Sequence, residues 1–196
     1  MNKERLSLAR LCFVVDAVVF YAFNFYKFKK LAFKSCVIRP LRLDGRCYMS
    51  IGEHVRVQAL TWLAAIKIDA QDPELVIGDG CGIGDFNHIT AVRSVVIGKN
   101  VLTGNGVYIA DNSHGFDDVN VPVMHQPVVF KGAVRIGDGS WIGEHACIIG
   151  VNVGRHCIIG ANAVVTHDIP DHCVAVGAPA RVIKKYDHAA RQWLSV

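Results

Sequence analysis

The sequence predicts an all-β protein, a parallel β-helix of hexapeptide repeats. Three observations predict it. Aliphatic residues recur at every sixth position, glycine often follows them directly, and small residues often stand four places after them. Ordinary half-buried strands alternate with period two, so a sustained period of six with glycine in fixed phase argues against a flat sheet.

Five triplets carry the period: Ile51, Val57 and Leu63; Ile77, Ile83 and Ile89; Ile97, Thr103 and Ile109; Ile136, Ile142 and Ile148; Val153, Ile159 and Val165. Thr103 is the one non-aliphatic member. Each triplet describes one triangular coil of three short strands, with the aliphatic side chains pointing inward. Equivalent residues then stack about 4.8 Å apart, the spacing of neighbouring strands. One coil cannot bury its own inner face, so several must stack. Cys81, Ala146, Cys157 and Ala163 are the small residues of the pattern.

The breaks in phase are as informative as the repeat. Eight residues are inserted between Leu63 and Ile77, two between Ile89 and Ile97, and one is missing before Val153. The gap from Ile109 to Ile136 holds an excursion over 115–134. Long loops inside a compact repeat tend to carry function.

These limits divide the 196 residues into a helical and connecting segment over 1–46, the β-helix over 47–178, and a short helical tail over 179–196. Leu11 to Tyr26 is apolar and aromatic but is broken by Asp16 and Asn24. Its longest uncharged stretch falls short of the roughly 18–20 residues a membrane span needs, and no small-residue cleavage site follows it. A helix there either packs on its own domain or, with Lys27, Lys29, Lys30 and Lys34 behind it, lies on an anionic membrane surface.

Hydrophobic residues make up 52% and charged residues 19%, which excludes disorder, and the net charge of +4 comes without a basic block of the kind nucleic acid requires. The seven cysteines form no C-x-x-C pair, and their odd number reads as reduced thiols rather than a disulfide framework or a metal site.

After Val165 the repeat stops, and the chain runs Thr166-His167-Asp168-Ile169-Pro170, then Val176-Gly177-Ala178-Pro179-Ala180-Arg181. With Trp141-Ile142-Gly143, this closely resembles the end of the hexapeptide-repeat acyltransferases. The closing Lys184-Lys185-Tyr186-Asp187 and Trp193 look most like the branch that O-acetylates bacterial surface polysaccharides. The resemblance covers Cys47 to Trp193. It implies a left-handed coil, against the usual right-handed crossover. It also implies a homotrimer, acetyl-CoA as co-substrate, no metal, and a sugar or polysaccharide as acceptor. The implied location is the cytoplasm, at the inner face of the membrane if the N-terminal helix docks there.

Acetyl transfer to a hydroxyl needs a base, a donor for the developing oxyanion, and a slot that aligns the thioester. Asp111-Asn112-Ser113-His114-Gly115 resembles the family's catalytic segment and stands where the excursion begins, which makes His114 the base. Asp111 either orients that imidazole or caps the turn. Asp85 and Asn87 correspond to acceptor contacts in related sugar acetyltransferases, at a spacing one residue shorter, and His88 is a further residue that could face the acceptor. For the donor, the resemblance implies Trp141 against the pantetheine arm, backbone groups of Gly143, Glu144 and Ala161 on its amides, and Thr166, His167, Arg181 and Lys184 at the phosphates. Lys is common in the family where His167 stands, and Ile149-Gly150 replaces its usual Pro-Gly.

Amino-sugar N-acetylation on the same scaffold is the alternative, since it needs the same base and groove. A zinc-dependent carbonic anhydrase would require three converging histidines, and His145, His156, His167 and His172 are poorly spaced to join His114. A non-catalytic scaffold would bind no acetyl-CoA.

Overall fold

A computed structural model of the protein describes residues 15–16 and 18–196. Helical backbone at 15–16 and 18–24 runs into a 3-10 turn, Phe25–Lys27, and from there the chain is coil upon coil of short strands. Each coil gives a strand to each of three sheets, except that near the far end the first wall is continued by the single bridges Ile136–Val153 and Val153–Ile169, and the sheets are the walls of a prism.

The first wall has five parallel strands: β1 (Lys30–Leu31), β4 (Met49–Ile51), β7 (Glu74–Ile77), β10 (Ser94–Ile97) and β15 (Val134–Ile136). The second has nine: β2 (Cys36–Val37), β5 (Arg56–Val57), β8 (Gly82–Ile83), β11 (Leu102–Thr103), β16 (Trp141–Ile142), β18 (Ile158–Ile159), β20 (Cys173–Val176), β21 (Arg181–Asp187) and β22 (Gln192–Ser195). The third has six: β3 (Arg42–Asp44), β6 (Trp62–Ala65), β9 (His88–Ala91), β12 (Tyr108–Ala110), β17 (Cys147–Ile149) and β19 (Val164–Val165).

The register stacks the period-six residues directly on one another. Ile51, Ile77, Ile97 and Ile136 form one inner column. Leu63, Ile89, Ile109, Ile148 and Val165 form another. All fifteen triplet residues are buried, none more than 3% exposed. Thr103 keeps its place in the second wall because the core supplies a partner for its hydroxyl. The Asn87 side-chain amide donates to Thr103 Oγ1 at 2.8 Å, and the Gly84 N–H donates to the same oxygen at 3.1 Å.

Two expectations are corrected. The stack begins one coil earlier than residue 47: Leu31, Val37 and Leu43 are spaced by six, and β1, β2 and β3 pair parallel with β4, β5 and β6. No glycine follows any of the three, so the strongest mark of the repeat is missing there. The tail is not helical. β21 pairs antiparallel with β20, and β22 with β21. The last parallel strand would otherwise end the wall with an open row of N–H and C=O groups, and the hairpin satisfies it.

The three corners are tight. At Gly139, φ is +69° and a Cβ would lie 2.6 Å from the His156 ring of the next coil; at Gly106, φ is +66° and a Cβ would lie 2.3 Å from His145 Nδ1. Both positions need glycine, for conformation and for space. Elsewhere, corner carboxylates tie one coil to the one before it. Asp79 accepts the Glu53 N–H at 2.9 Å, Asp138 that of Lys99 at 2.8 Å, and Asp171 that of Arg155 at 2.8 Å.

Six cysteines lie among the described residues and all are free thiols, with Cys47 exposed and Cys12 outside the described residues. Burial raises the thiols of Cys36, Cys147, Cys157 and Cys173 and pushes Cys81 up to about 11, so these five stay protonated near neutrality.

Candidate active site

The excursion after β12 is a hairpin rather than an irregular loop. β13 (Asn112–His114) pairs antiparallel with β14 (Val128–Phe130), which sets His114 opposite Val128. Gly115 N–H donates to Pro127 O at 2.8 Å, and Lys131 N–H to Asp111 O at 2.8 Å, closing both ends of the ladder. His114 is exposed at the end of β13, on the corner between the third wall and the next strand of the first wall.

Asp111 anchors the root of this hairpin. Its side chain is fully buried and accepts the N–H groups of Val92 (2.8 Å), Arg93 (2.7 Å) and Ser94 (2.8 Å), and the Asn112 amide at 2.8 Å. Of the two roles the sequence left open, it is the turn cap, and a carboxylate so enclosed is no substrate contact. The three residues it caps lie where the two-residue insertion between Ile89 and Ile97 falls.

Asn87 is likewise corrected as an acceptor contact. It stands four places after Ile83, at the inward small-residue position, and is 1% exposed. Its amide also donates to Gly84 O and Gly104 O, and its Oδ1 accepts the Val107 N–H. Asp85 is half-buried on the corner between the second and third walls, and its Oδ1 accepts the Ala59 N–H at 2.9 Å. It lines a groove of about 220 Å³ with Arg56, Gln58 and Leu102.

The donor-side residues divide between two corners. Trp141 is 51% exposed on the outer face of the second wall. The register runs Trp141, Ile158, Val174, Lys184 across four adjacent strands, so Lys184 stands on the same outer face three strand spacings away, roughly 14 Å. Arg181 lies on the same strand as Lys184. Gly143, Glu144 and Ala161 form the adjoining corner. The Gly143 N–H is spent on Ile159 O at 2.8 Å. At this corner Ala59 and Asp85 give their N–H groups to side chains of the coil above, whereas Glu144 sits beneath Ala161, which has no side-chain acceptor. The Glu144 N–H is thereby left for another acceptor. Thr166 and His167 sit with His114 on the third corner, where Thr166 Oγ1 and His167 Nδ1 are 2.9 Å apart.

Trp62 and Tyr108 are not among the residues that the repeat and the motifs single out. Arg42, Trp62, His88 and Tyr108 are cross-strand neighbours on the outer face of the third wall. The Trp62 and His88 rings stack 4.2 Å apart and 2° from parallel, and Tyr108 lies 5.1 Å beyond. Burial lowers the His88 imidazole from its ordinary value, which keeps it neutral at pH 7. The signal was available: each ring immediately precedes an inward residue, Leu63, Ile89 or Ile109.

Another groove, of about 570 Å³, lies between the last coils with Arg135, Asp138, Asn152, Arg155, Asp168 and Asp171 in its lining, and none of the candidate catalytic, acceptor or donor residues lines it. Among the described residues no group of three or more His, Cys, Asp or Glu side chains is placed to hold a metal ion.

A prism of stacked six-residue repeats, each contributing a short strand to one of three walls, with a histidine-bearing hairpin at one corner, defines a hexapeptide-repeat β-helix. Residues 133–167 match the family described as hexapeptide repeat of succinyl-transferase. The chain is 33% identical over 137 residues to a putative lipopolysaccharide biosynthesis O-acetyltransferase of Escherichia coli K12, covering 65% of this chain and 69% of that one. It is 35% identical over 147 residues to a probable acetyltransferase of Mycobacterium tuberculosis, covering 68% of this chain but only 49% of that protein, about half its length. An N-acyltransferase from Bacillus cereus, solved with dTDP and 3-hydroxybutyryl-CoA, superposes with a TM-score of 0.71 at 18% identity over 86% of this chain and 89% of that one. The chain belongs to the hexapeptide-repeat acyltransferases.

Proposed function

We propose that this protein transfers the acetyl group of acetyl-CoA to a hydroxyl of a sugar, in a surface polysaccharide, an oligosaccharide or a precursor of one. The observation that carries the reading is His114, an exposed imidazole on a hairpin whose root Asp111 holds rigid. The imidazole takes the proton of the acceptor hydroxyl as its oxygen attacks the thioester carbonyl. The tetrahedral oxyanion then collapses, the C–S bond breaks, and the imidazolium returns its proton to the departing CoA thiolate. The products are an acetyl ester and free CoA.

On this reading the site is shared between copies. Trp141, Glu144, Ala161, Arg181 and Lys184 bind the donor along the second wall, while His114, Thr166 and His167 stand on another corner of the same prism. A closed threefold ring sets the donor wall of one copy against the histidine corner of the next, and a homotrimer is the assembly that completes the site. The protein then works in the cytoplasm, and at the inner face of the membrane if its N-terminal helix docks there.

The test is release of CoA thiol from acetyl-CoA across a panel of nucleotide-sugars, lipid-linked sugars and oligosaccharides, with amino sugars included to separate amide from ester formation. His114→Ala is expected to lower kcat by about 10²–10⁴-fold with unchanged unfolding temperature. A fully active His114→Ala protein overturns the assignment.

A further inference from the structure

We infer that the N-terminal end of the prism is a docking surface for an anionic lipid bilayer, a partner distinct from both substrates. Six of the nine phenylalanines fall within the first 33 residues. Those described have divided roles. Phe28 is buried against the first coil with Leu31, and Phe20 packs edge-on against it at 6.1 Å. This closes the end of the core. Phe23 (67% exposed), Tyr26 (67%), Phe25 and Phe33 remain outside the seal with Val18 and Val19. Tyr21 links the outer rings, stacking on Phe25 and meeting Phe33 edge-on, each at 5.4 Å. Tyr21, Phe25, Tyr26 and Phe33 thus form one connected aromatic patch, and Val19 and Phe23 on the same segment line a groove with Asp16, Ile38, Arg39 and Pro40; a patch of this kind marks an interaction surface.

Charge selects the occupant. Residues 15–46 hold seven Lys and Arg against two Asp and Glu, a net +5, whereas residues 47–196 hold eleven against fourteen, a net −3. Lys30, Lys34 and Arg39 are exposed around the patch, and Lys27 Nζ lies 5.2 Å over the Tyr26 ring. An aromatic surface ringed by flexible cations fits the boundary between acyl chains and anionic headgroups, with rings at the boundary and ammonium groups on the phosphates. The negative remainder of the chain is repelled by the same surface, so docking is polar and leaves the far end, with Arg181 and Lys184, in solution for CoA. No helix among the described residues is long and apolar enough to cross a membrane, so the contact is one of lying on the surface.

The experiment is co-sedimentation of the full chain with phosphatidylcholine vesicles, with and without phosphatidylglycerol. Binding is expected only to the anionic vesicles, and it weakens as salt is raised. Lys30→Glu with Lys34→Glu should cut it by about tenfold or more, and Phe23→Ser and Tyr26→Ser each several-fold, all without change in unfolding temperature or in thiol release with a soluble acceptor. Absence of binding, equal binding to both vesicles, or binding that survives these substitutions overturns the proposal. So does a drop in oligomeric mass on Phe23→Ser, which would give the patch to a second copy of the chain. None of these results bears on His114, so docking and catalysis stand or fall separately.

Discussion

The Arg93 N–H and the Asp111 carboxylate meet at 2.7 Å, and through that bond two irregularities of the repeat become one device. Where the two-residue insertion after Ile89 falls, the chain turns the N–H groups of Val92, Arg93 and Ser94 toward the aspartate at the root of the His114 hairpin, which accepts all three. Asp111→Ala leaves those donors buried without an acceptor. Hydrogen bonds to a charged group contribute about 1.5–3 kcal/mol each, so a loss of roughly 3–5 kcal/mol is expected, or about 10 °C in unfolding temperature for a chain of this size. Activity should fall with it, because His114 loses its footing. Asp111→Asn keeps one acceptor oxygen and should lie between. Calorimetry checks the order, and an alanine variant as stable as wild type would remove the anchor from the account.

Thr103 and Asn87 separate packing from polar pairing. Thr103→Val restores an aliphatic residue to a column of aliphatic residues, so packing alone predicts a neutral or stabilising change. The bonds predict the reverse. The half-buried Gly84 N–H loses its acceptor and the Asn87 amide loses one of its three, at a cost of about 1–3 kcal/mol. Denaturant unfolding decides between them. The acceptor KM should not move, because neither side chain reaches the surface.

The same pair shows how far the sequence could be read. Period six names fifteen inner residues because each inward side chain obeys one rule, burial on its neighbour above and below. Leu31, Val37 and Leu43 obey that rule too, but their corners use Ala32, Ile38 and Asp44, and without glycine the first coil is indistinguishable from ordinary chain. Asn87 was misplaced because the family resemblance suggests an acceptor contact there, at a spacing one residue short, whereas its position in the repeat points inward; where the two disagreed, position decided. The tail misled for another reason. Nothing local in Arg181–Asp187 demands a strand, and the demand comes from β20, whose outer edge needs a partner. The exposed corner position of His114 was legible because motif and phase break coincide. The division of the donor residues between corners was not, since a repeat fixes which residues point outward without fixing which corner a ligand bridges.

Acid should loosen the coils in a defined window. The Asp79 and Asp171 carboxylates are held below the ordinary carboxylate value, first by the Glu53 and Arg155 N–H groups and then by the Lys99 and Arg155 side chains. A carboxyl depressed in the folded state binds its proton more readily in the unfolded chain. Its stabilisation is therefore complete above the unfolded value near 4 and is lost as pH falls through the folded one. Unfolding temperature should decline as pH drops from about 5 to about 3, and Asp79→Asn should flatten that decline. A profile that is level across the window, or one that Asp79→Asn leaves untouched, would assign the corner carboxylates no such role.

The proposed sharing of the site between copies has a consequence that one variant alone cannot reveal. Ala161→Trp places an indole on the donor corner and is expected to block acetyl-CoA, while His114→Ala removes the base from another corner. Each homo-oligomer should be inactive. If a site takes its donor wall from one copy and its histidine from the next, chains mixed at equal ratio and reassembled at random unite an intact wall with an intact histidine in about one site of four, and recover about a quarter of wild-type activity. If each site lies within one chain, every chain in the mixture carries one lesion and thiol release stays at background. The measurement therefore distinguishes the two geometries by presence against absence of activity, whatever the acceptor sugar proves to be.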